Sequence, residues 1–231
     1  MYAVAVAFNL FIPKIQAVRK DSFAPKALLK SFGSILVKLA CDKQARFAIL
    51  GTSLFWGAAT TLRLLLNDWV RVVLDGGTEM VAMLSAIVSI GIVFGALLAS
   101  LFISVKNIKL CLWAGLAMGV IATIFSFQTN IYSVYIFLIL IGACGGTFVI
   151  PMNALLQERG KLFESAGTAV AVQNFSENFV MILMMVIFGA LAYYEVSIVT
   201  LMVCFGIFFS VGILGLFYHI GKRNVLETAQ D

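Results

Sequence analysis

The sequence predicts an all-α membrane protein built around a bundle of six transmembrane helices. Hydrophobic residues make up 62% of the 231 residues and charged residues only 12%, and the mean hydropathy is +1.05. A soluble domain is about half apolar and about a quarter charged, so this composition excludes a large soluble core. The apolar segments are long and continuous, as membrane helices require, whereas a β-barrel would show alternating segments of about ten residues.

The first 46 residues are predicted to lie outside the bundle. Residues 1–13 contain an apolar stretch that is too short to cross a bilayer, and we expect it to be the end of a truncated transmembrane helix. Residues 14–46 carry eight of the 16 Lys and Arg residues and predict a basic cytoplasmic linker. Within this linker, residues 27–40 have the pattern of an amphipathic helix, which either lies on the inner membrane surface or is a solvated linker helix.

The bundle itself is predicted over residues 47–219, followed by a cytoplasmic tail at 220–231. We expect spans at 47–74 and 80–105, two spans within 110–157 that are separated at Gln128–Asn130, and further spans at 166–194 and 196–218. Pro151 is predicted to end or kink the fourth span near the inner face, because proline removes a helical hydrogen bond. Closely spaced glycines predict tight helix contacts at Gly91/Gly95, Gly115/Gly119 and Gly142/Gly145/Gly146.

The distribution of charge predicts how the chain is oriented. With residues 14–46 placed inside, all of the 16 Lys and Arg residues except Arg63 and Arg71 fall on the inner side. This is the positive-inside pattern of a multi-pass membrane protein, and it places both ends of the chain in or near the cytoplasm. It also explains the net charge of +5 without a nucleic-acid partner.

The residue types needed for catalysis or metal binding do not come together in the sequence. His219 is the single histidine, and the four cysteines are scattered without a CxxC spacing. No nucleotide-binding glycine motif occurs either. We therefore predict no enzyme activity, no metal site and no cofactor.

A polar stripe in the fifth span is the first candidate for a functional site. On a helix, Gln173, Asn174, Glu177 and Asn178 share an arc of about 140°. Glu177 lies about 16 Å along this span, near the membrane midplane, where a carboxylate cannot reach bulk water. An ionisable residue at this depth predicts either a hydrogen-bonded network that joins helices or the lining of a cavity for a headgroup or a proton.

Arg63 is the second candidate, because it lies about 24 Å along the first span, in the outer part of the membrane core. Either its guanidinium reaches outward to pair with Asp68 or with lipid phosphates, or it faces a cavity and binds a phosphate through two hydrogen bonds. The estimated depths of Arg63 and Glu177 differ by about 8 Å, so a direct pair is not predicted. Asn153, in the fourth span, is expected at the inner mouth.

Three segments resemble the lysophospholipid transporters of the major facilitator superfamily. They are GTSLFWGAATTLR at 51–63, IGACGGTFVIPMNALLQERG at 141–160 and GTAVAVQNFSEN at 167–178. FNLFIPKI at 8–15 is similar to the end of that family's sixth helix. The resemblance covers almost the whole chain and corresponds to the C-terminal half of the family's twelve-helix fold, with the end of the preceding helix.

The resemblance implies transport of lysophosphatidylethanolamine across the bacterial inner membrane toward the cytoplasmic face, where an acyl-ACP synthetase/acyltransferase re-acylates it. It implies that Arg63 meets the headgroup phosphate, and that Gln173, Asn174, Glu177 and Asn178 meet the polar headgroup. Alternating access requires two halves that rock against each other, so we expect the chain to be inactive without an N-terminal six-helix half. Lysophospholipid, membrane lipids and that half are the expected partners.

Two other functions remain open from the sequence. The chain could be half of another major facilitator permease, for drugs or sugars, although the loop at 104–109 lacks the basic motif of proton-coupled drug exporters. It could also be a membrane scaffold fragment that does not transport.

Overall fold

The computed structural model describes residues 25–103, 108–162 and 166–221, and within these residues the chain is helical, without strands. Of the described residues, those from Phe32 onward belong to one compact unit, and the packing described below is that of this unit. The helices are α1 (Pro25–Cys41), α2 (Lys43–Val73), α3 (Thr78–Phe102), α4 (Ile108–Phe125), α5 (Ile131–Leu162), α6 (Ala166–Tyr193) and α7 (Ile198–Gly221).

The predicted all-α fold with six spans is confirmed, because α2 to α7 are all long and apolar enough to cross a membrane. The predicted break at residues 128–130 separates α4 from α5, and the predicted helix at 27–40 is α1. The location of α1 on a membrane surface stays a prediction. The expected helix end at 1–13, the linker residues 14–24 and the tail residues 222–231 lie outside the described residues.

Helix α2 is the centre of the bundle and contacts α3, α5, α6 and α7. It begins four residues before the predicted span, because the Asp42 carboxylate accepts a hydrogen bond of 2.7 Å from the Ala45 amide and caps the helix. Near its other end, the buried Trp69 ring packs against Phe125 of α4, with ring centroids 4.7 Å apart. These contacts fix α2 along its length, including the turns that carry Arg63.

Helices α3 and α5 approach each other along a seam of small residues, as the glycine spacing predicts. A side chain on Gly95 would meet the Ala143 carbonyl oxygen, and one on Gly142 would meet the Val88 carbonyl oxygen. The Thr147 hydroxyl of α5 lies 2.8 Å from the Ala143 carbonyl oxygen of its own helix and 3.2 Å from the Gly95 carbonyl oxygen across the seam, so the two oxygens share its one proton. Glycine is required here because the two backbones leave no room for a Cβ atom.

Of the two outcomes predicted at Pro151, an end of the fourth span is wrong, since α5 continues through this residue to Leu162, and a kink stays a prediction. Pro151 is buried, and one missing backbone hydrogen bond is tolerated in a membrane helix that neighbouring helices support. The continuation matters for the site, because it carries Asn153, Gln157 and Lys161 on the same rigid helix.

Helices α3 and α6 are the least buried of the six. Only 17% of the residues in their most apolar windows are buried, compared with 56% for α2. On α6 the exposed side includes Phe179 and Ile182. Phe175 is also more than half exposed, but its ring packs edge-to-face against Phe32 of α1, with ring centroids 5.8 Å apart. Each of these two helices therefore has one face in the bundle and a wide face outside it.

Candidate functional site

A cavity with a volume of about 490 Å³ lies between α2, α3 and α5, and Met118 of α4 forms part of its wall. Most of its walls are apolar. Its polar lining consists of four side chains that carry hydroxyl or guanidinium groups, together with one tryptophan: Thr60, Arg63, Ser85, Ser89 and Trp56.

Among the described residues that line this cavity, Arg63 is the one with a charged side chain. Its side chain is exposed, and no hydrogen bond or ion pair joins it to the described residues. Asp68, its alternative partner from the sequence, instead accepts a hydrogen bond of 3.3 Å from Asn67. The guanidinium therefore offers its five N–H donors to a cavity with apolar walls.

Sequence reasoning missed the hydroxyl groups of α3 that face Arg63's cavity. Ser85 and Ser89 both line it, and they lie four residues apart on one face of an otherwise apolar helix. That spacing is the signal that could have found them. Hydroxyl residues are common in membrane helices, however, and only the packing of α3 against α2 and α5 identifies these two as lining residues.

A second polar cluster joins α5 to α6 and consists of Asn153, Gln173 and Glu177. The Gln173 side-chain amide donates one hydrogen bond to Asn153 Oδ1 and one to Glu177 Oε1, each 2.7 Å long. Glu177 is buried, with 7% of its surface exposed. The arrangement has the form of the hydrogen-bonded network that the sequence predicts as one of two alternatives for Glu177.

A smaller cavity of about 280 Å³ leads from this cluster to the ends of α5 and α6. Gln173 is part of its wall, together with Gln157 and Lys161 of α5. Through Gln173, the Asn153–Gln173–Glu177 cluster thus borders a largely apolar cavity that carries one positive charge, on Lys161.

The remaining two predicted residues of α6 do not join the cluster. Asn174 and Asn178 are exposed on the side of the helix, and the Asn178 amide donates a 2.7 Å hydrogen bond to the Asn174 carbonyl oxygen of its own helix. The six predicted site residues therefore divide into three groups. Arg63 lies in the α2–α3–α5 cavity, three residues form the α5–α6 cluster, and two asparagines lie on an open face of α6.

The chain is similar to curated proteins named "Lysophospholipid transporter LplT". It is 46% identical to the protein of Yersinia enterocolitica serotype O:8 over 203 residues, which are 86% of this chain and 50% of the relative. It is 49% identical to the protein of Yersinia pestis (strain Pestoides F) over 189 residues, which are 80% of this chain and 46% of the relative. The chain thus spans about half the length of the curated relatives that it matches.

No family model matches the chain, and no solved structure matches it. The curated relatives confirm the resemblance to lysophospholipid transporters over at least 80% of the chain. The superfamily and the half to which the chain corresponds stay predictions. Because the relatives are named as transporters, the homology points away from an enzyme.

Proposed function

We propose that this chain is the C-terminal six-helix half of a lysophospholipid transporter of the major facilitator superfamily. In this proposal it moves lysophosphatidylethanolamine across the bacterial inner membrane toward the cytoplasmic face by alternating access with an N-terminal half. The observation that carries the proposal is the 46–49% identity to proteins named lysophospholipid transporters. The arrangement of charge and apolar surface around Arg63 supports it independently.

The headgroup phosphate is proposed to bind Arg63. A guanidinium binds phosphate through two parallel N–H···O hydrogen bonds, and such charge-assisted bonds are about twice as strong as neutral ones. The cavity walls around Arg63 are largely apolar, and the exposed guanidinium is within reach of a ligand that enters from outside. Since no described residue forms a hydrogen bond or an ion pair with the Arg63 guanidinium, its N–H groups are available to a ligand.

The single acyl chain is proposed to lie along α3. An apolar groove of about 430 Å³ runs over this helix, and its wall includes Val93, Phe94 and Leu97. Ser89 lines both this groove and the Arg63 cavity, so the two spaces meet at that residue. A cavity that carries one guanidinium and borders an apolar groove suits an amphiphile with a small headgroup and one acyl chain.

The Asn153–Gln173–Glu177 cluster is proposed as a second binding site for the headgroup, which the headgroup occupies as it moves toward Lys161. Asn174 and Asn178 are proposed to face the cavity between the two halves, because exposed amides at this depth are unfavourable against lipid. The transported lipid would then pass to a separate acyl-ACP synthetase/acyltransferase at the cytoplasmic face.

The role of Arg63 is tested by uptake of labelled lysophosphatidylethanolamine in cells that produce this chain together with the N-terminal half of a relative. Hydrogen bonds to charged groups are worth about 1.5–3 kcal/mol, so Arg63→Gln is expected to reduce uptake about ten- to hundredfold. Arg71→Gln is the matched control, because Arg71 is an exposed arginine in the last turn of the same helix and does not line the cavity. Equal uptake by the two variants would refute phosphate binding by Arg63.

A further inference from the structure

Ser53 on α2 carries a buried hydroxyl group without a hydrogen-bond partner. Its side chain is 2% exposed, and among the described residues no other buried side-chain oxygen or nitrogen lacks a partner. The buried hydroxyls of Thr52 and Thr61 on the same helix both donate to carbonyl oxygens of that helix, at 3.2 and 2.8 Å. A buried polar group without a partner is unfavourable, so the Ser53 oxygen calls for a ligand that the protein itself does not supply.

The packing of α2 against α6 places Ser53 at the level of Glu177. A side chain on Gly57 would meet Val180 of α6, so the two helices touch there. Successive spans cross the membrane in opposite directions, and α2 and α6, the first and the fifth, therefore run the same way. Ser53 lies one helical turn before Gly57, and Glu177 lies about one turn before Val180. The serine and the glutamate thus occupy matching turns of two helices in contact.

The α5–α6 cluster supplies further oxygen atoms at this level. Gly51 of α2 faces Met152, the residue before Asn153. Asn153 Oδ1 and Glu177 Oε1 both lie 2.7 Å from the same atom, the side-chain nitrogen of Gln173. If this amide group turns over, its carbonyl oxygen takes the place of the NH₂ group, and three oxygens from two helices surround one point. Three oxygens repel each other there unless a cation lies between them.

Glu177 has no counter-ion among the described residues. Its carboxylate is 93% buried, it accepts a hydrogen bond from the neutral Gln173 amide, and no described Lys, Arg or His pairs with it. A charge at this depth is expected to be paired. One carboxylate balances a monovalent cation. Ca²⁺ takes about 6–8 oxygen ligands and Mg²⁺ keeps several water molecules, and this enclosed cluster suits neither.

We infer that Ser53, Asn153, Gln173 and Glu177 form a binding site for a sodium ion between α2, α5 and α6. Glu177 supplies the negative charge, and the hydroxyl and amide oxygens replace water around the ion. Sodium is favoured over the larger potassium ion, because Ser53 and Glu177 are almost completely enclosed. The sequence predicts no metal site because it contains no cluster of His or Cys, and neutral oxygens on three separate helices leave no such signal.

This inference goes beyond the proposed function and does not depend on it, because the site needs no lipid to bind the ion. A sodium ion and a headgroup ammonium carry the same charge, so they would occupy the α5–α6 cluster in turn.

The test is equilibrium binding of radioactive sodium to the full 231-residue chain in phosphatidylcholine nanodiscs, without lysophospholipid. We expect saturable binding that unlabelled sodium displaces, with potassium at least about tenfold less effective. N-methylglucamine is too large to enter the site and should not displace sodium. Thermal unfolding is the second measurement, since an ion that binds the folded chain raises its unfolding temperature.

Ser53→Ala separates ion binding from a structural role of the serine. Removing a hydroxyl that has no partner should leave the unfolding temperature in sodium-free buffer unchanged or raise it, which also shows that the variant is folded. Sodium binding should become about tenfold weaker, because the ion loses one oxygen ligand. A serine that only fills space would leave the affinity for sodium unchanged.

Glu177→Gln keeps the size of the side chain but removes its charge, and it should abolish saturable sodium binding. The matched controls are Ser100→Ala and Glu79→Gln, because both residues are exposed on α3 and lie outside the cluster. Both control variants should bind sodium like the native chain.

The sodium site is wrong if the native chain shows no saturable binding, or if Ser53→Ala and Glu177→Gln bind sodium as tightly as the native chain. Displacement by potassium as effective as by sodium would overturn the assignment of the ion. None of these results touches the proposed function, because lysophospholipid is absent from the assay. Conversely, equal lipid uptake by Arg63→Gln and Arg71→Gln refutes phosphate binding by Arg63 and leaves the sodium site standing.

Discussion

Gln173 holds the α5–α6 cluster together, because its amide group supplies a hydrogen bond to each of the other two members. Asn153 Oδ1 and Glu177 Oε1 both accept from the same nitrogen at 2.7 Å. A buried carboxylate without a donor costs far more than a neutral group in the same place. The stability of the contact between α5 and α6 therefore depends on one uncharged side chain.

Replacing Gln173 by leucine is expected to lower the free energy of unfolding by about 1–3 kcal/mol, because two acceptors lose their donor. The measurement is denaturant unfolding in detergent micelles. Asn174→Leu is the matched control, since Asn174 is the adjacent residue but is exposed, and it should change the free energy by about 0.5 kcal/mol or less. The double variant Gln173→Leu/Glu177→Leu should recover part of the loss, and a further loss instead would contradict this account.

At the residue scale, the sequence predicted which side chains are unusual but not which of them meet. Glu177 and Arg63 could be found because a charge inside an apolar span is unfavourable unless it has a role. The sequence does not predict a direct pair between Arg63 and Glu177, because their estimated depths differ by about 8 Å. The neighbours that each of them meets follow from where α2 packs against α3 and where α5 packs against α6. A single sequence contains no direct information on those contacts.

The close approach of α3 and α5 along the seam helps to determine the shape of the Arg63 cavity. Gly142 and Gly145 line the cavity, and Gly142 also meets the α3 backbone at Val88. The seam thus holds Ser85 and Ser89 of α3 at a fixed position relative to α5. A larger residue in the seam would move the serines as well as weaken the bundle.

Gly95→Ala is expected to destabilise the bundle by about 1–3 kcal/mol, because the new methyl group overlaps the Ala143 carbonyl oxygen. The control is Gly215→Ala on α7, where nothing lies within 4 Å of the added atom. There the higher helix propensity of alanine should leave stability unchanged or raise it by up to about 1 kcal/mol. Thermal unfolding measures the change in unfolding temperature of each variant relative to the native chain. Changes of the same direction and size in both variants would contradict the requirement for glycine in the seam.

Most helices could be predicted from length and hydropathy alone. The residues at which they begin and end depend on capping hydrogen bonds and packing, which hydropathy does not report. The start of α2 is fixed by the Asp42 cap, which a search for apolar runs does not detect. The continuation of α5 through Pro151 depends on packing around a buried proline, so the sequence rule for soluble helices gave the wrong end.

For the whole molecule, the exposed faces of α3 and α6 have an unusual composition for surfaces in contact with lipid. On α6, Asn174 and Asn178 are exposed beside the large apolar side chains of Phe175 and Phe179. On α3, the exposed Ser89 lies where the Arg63 cavity meets the apolar groove. Polar groups on two otherwise apolar faces are what an interface around a wet cavity requires, and this supports pairing with a second six-helix half.

We therefore expect this chain alone to give no uptake of lysophosphatidylethanolamine above background in proteoliposomes, even where it binds the lipid. Alternating access needs a second body that moves against the first, and α2 to α7 form one bundle around a central helix. Co-reconstitution with the N-terminal half of a relative should restore uptake. A variant of that half with a large charged residue on the surface that packs against α6 should not restore it. An Arg63→Gln chain in the paired complex serves as the reference with reduced uptake. Clear uptake by the single chain, sensitive to Arg63→Gln, would show that one six-helix bundle is sufficient and would exclude the two-half mechanism.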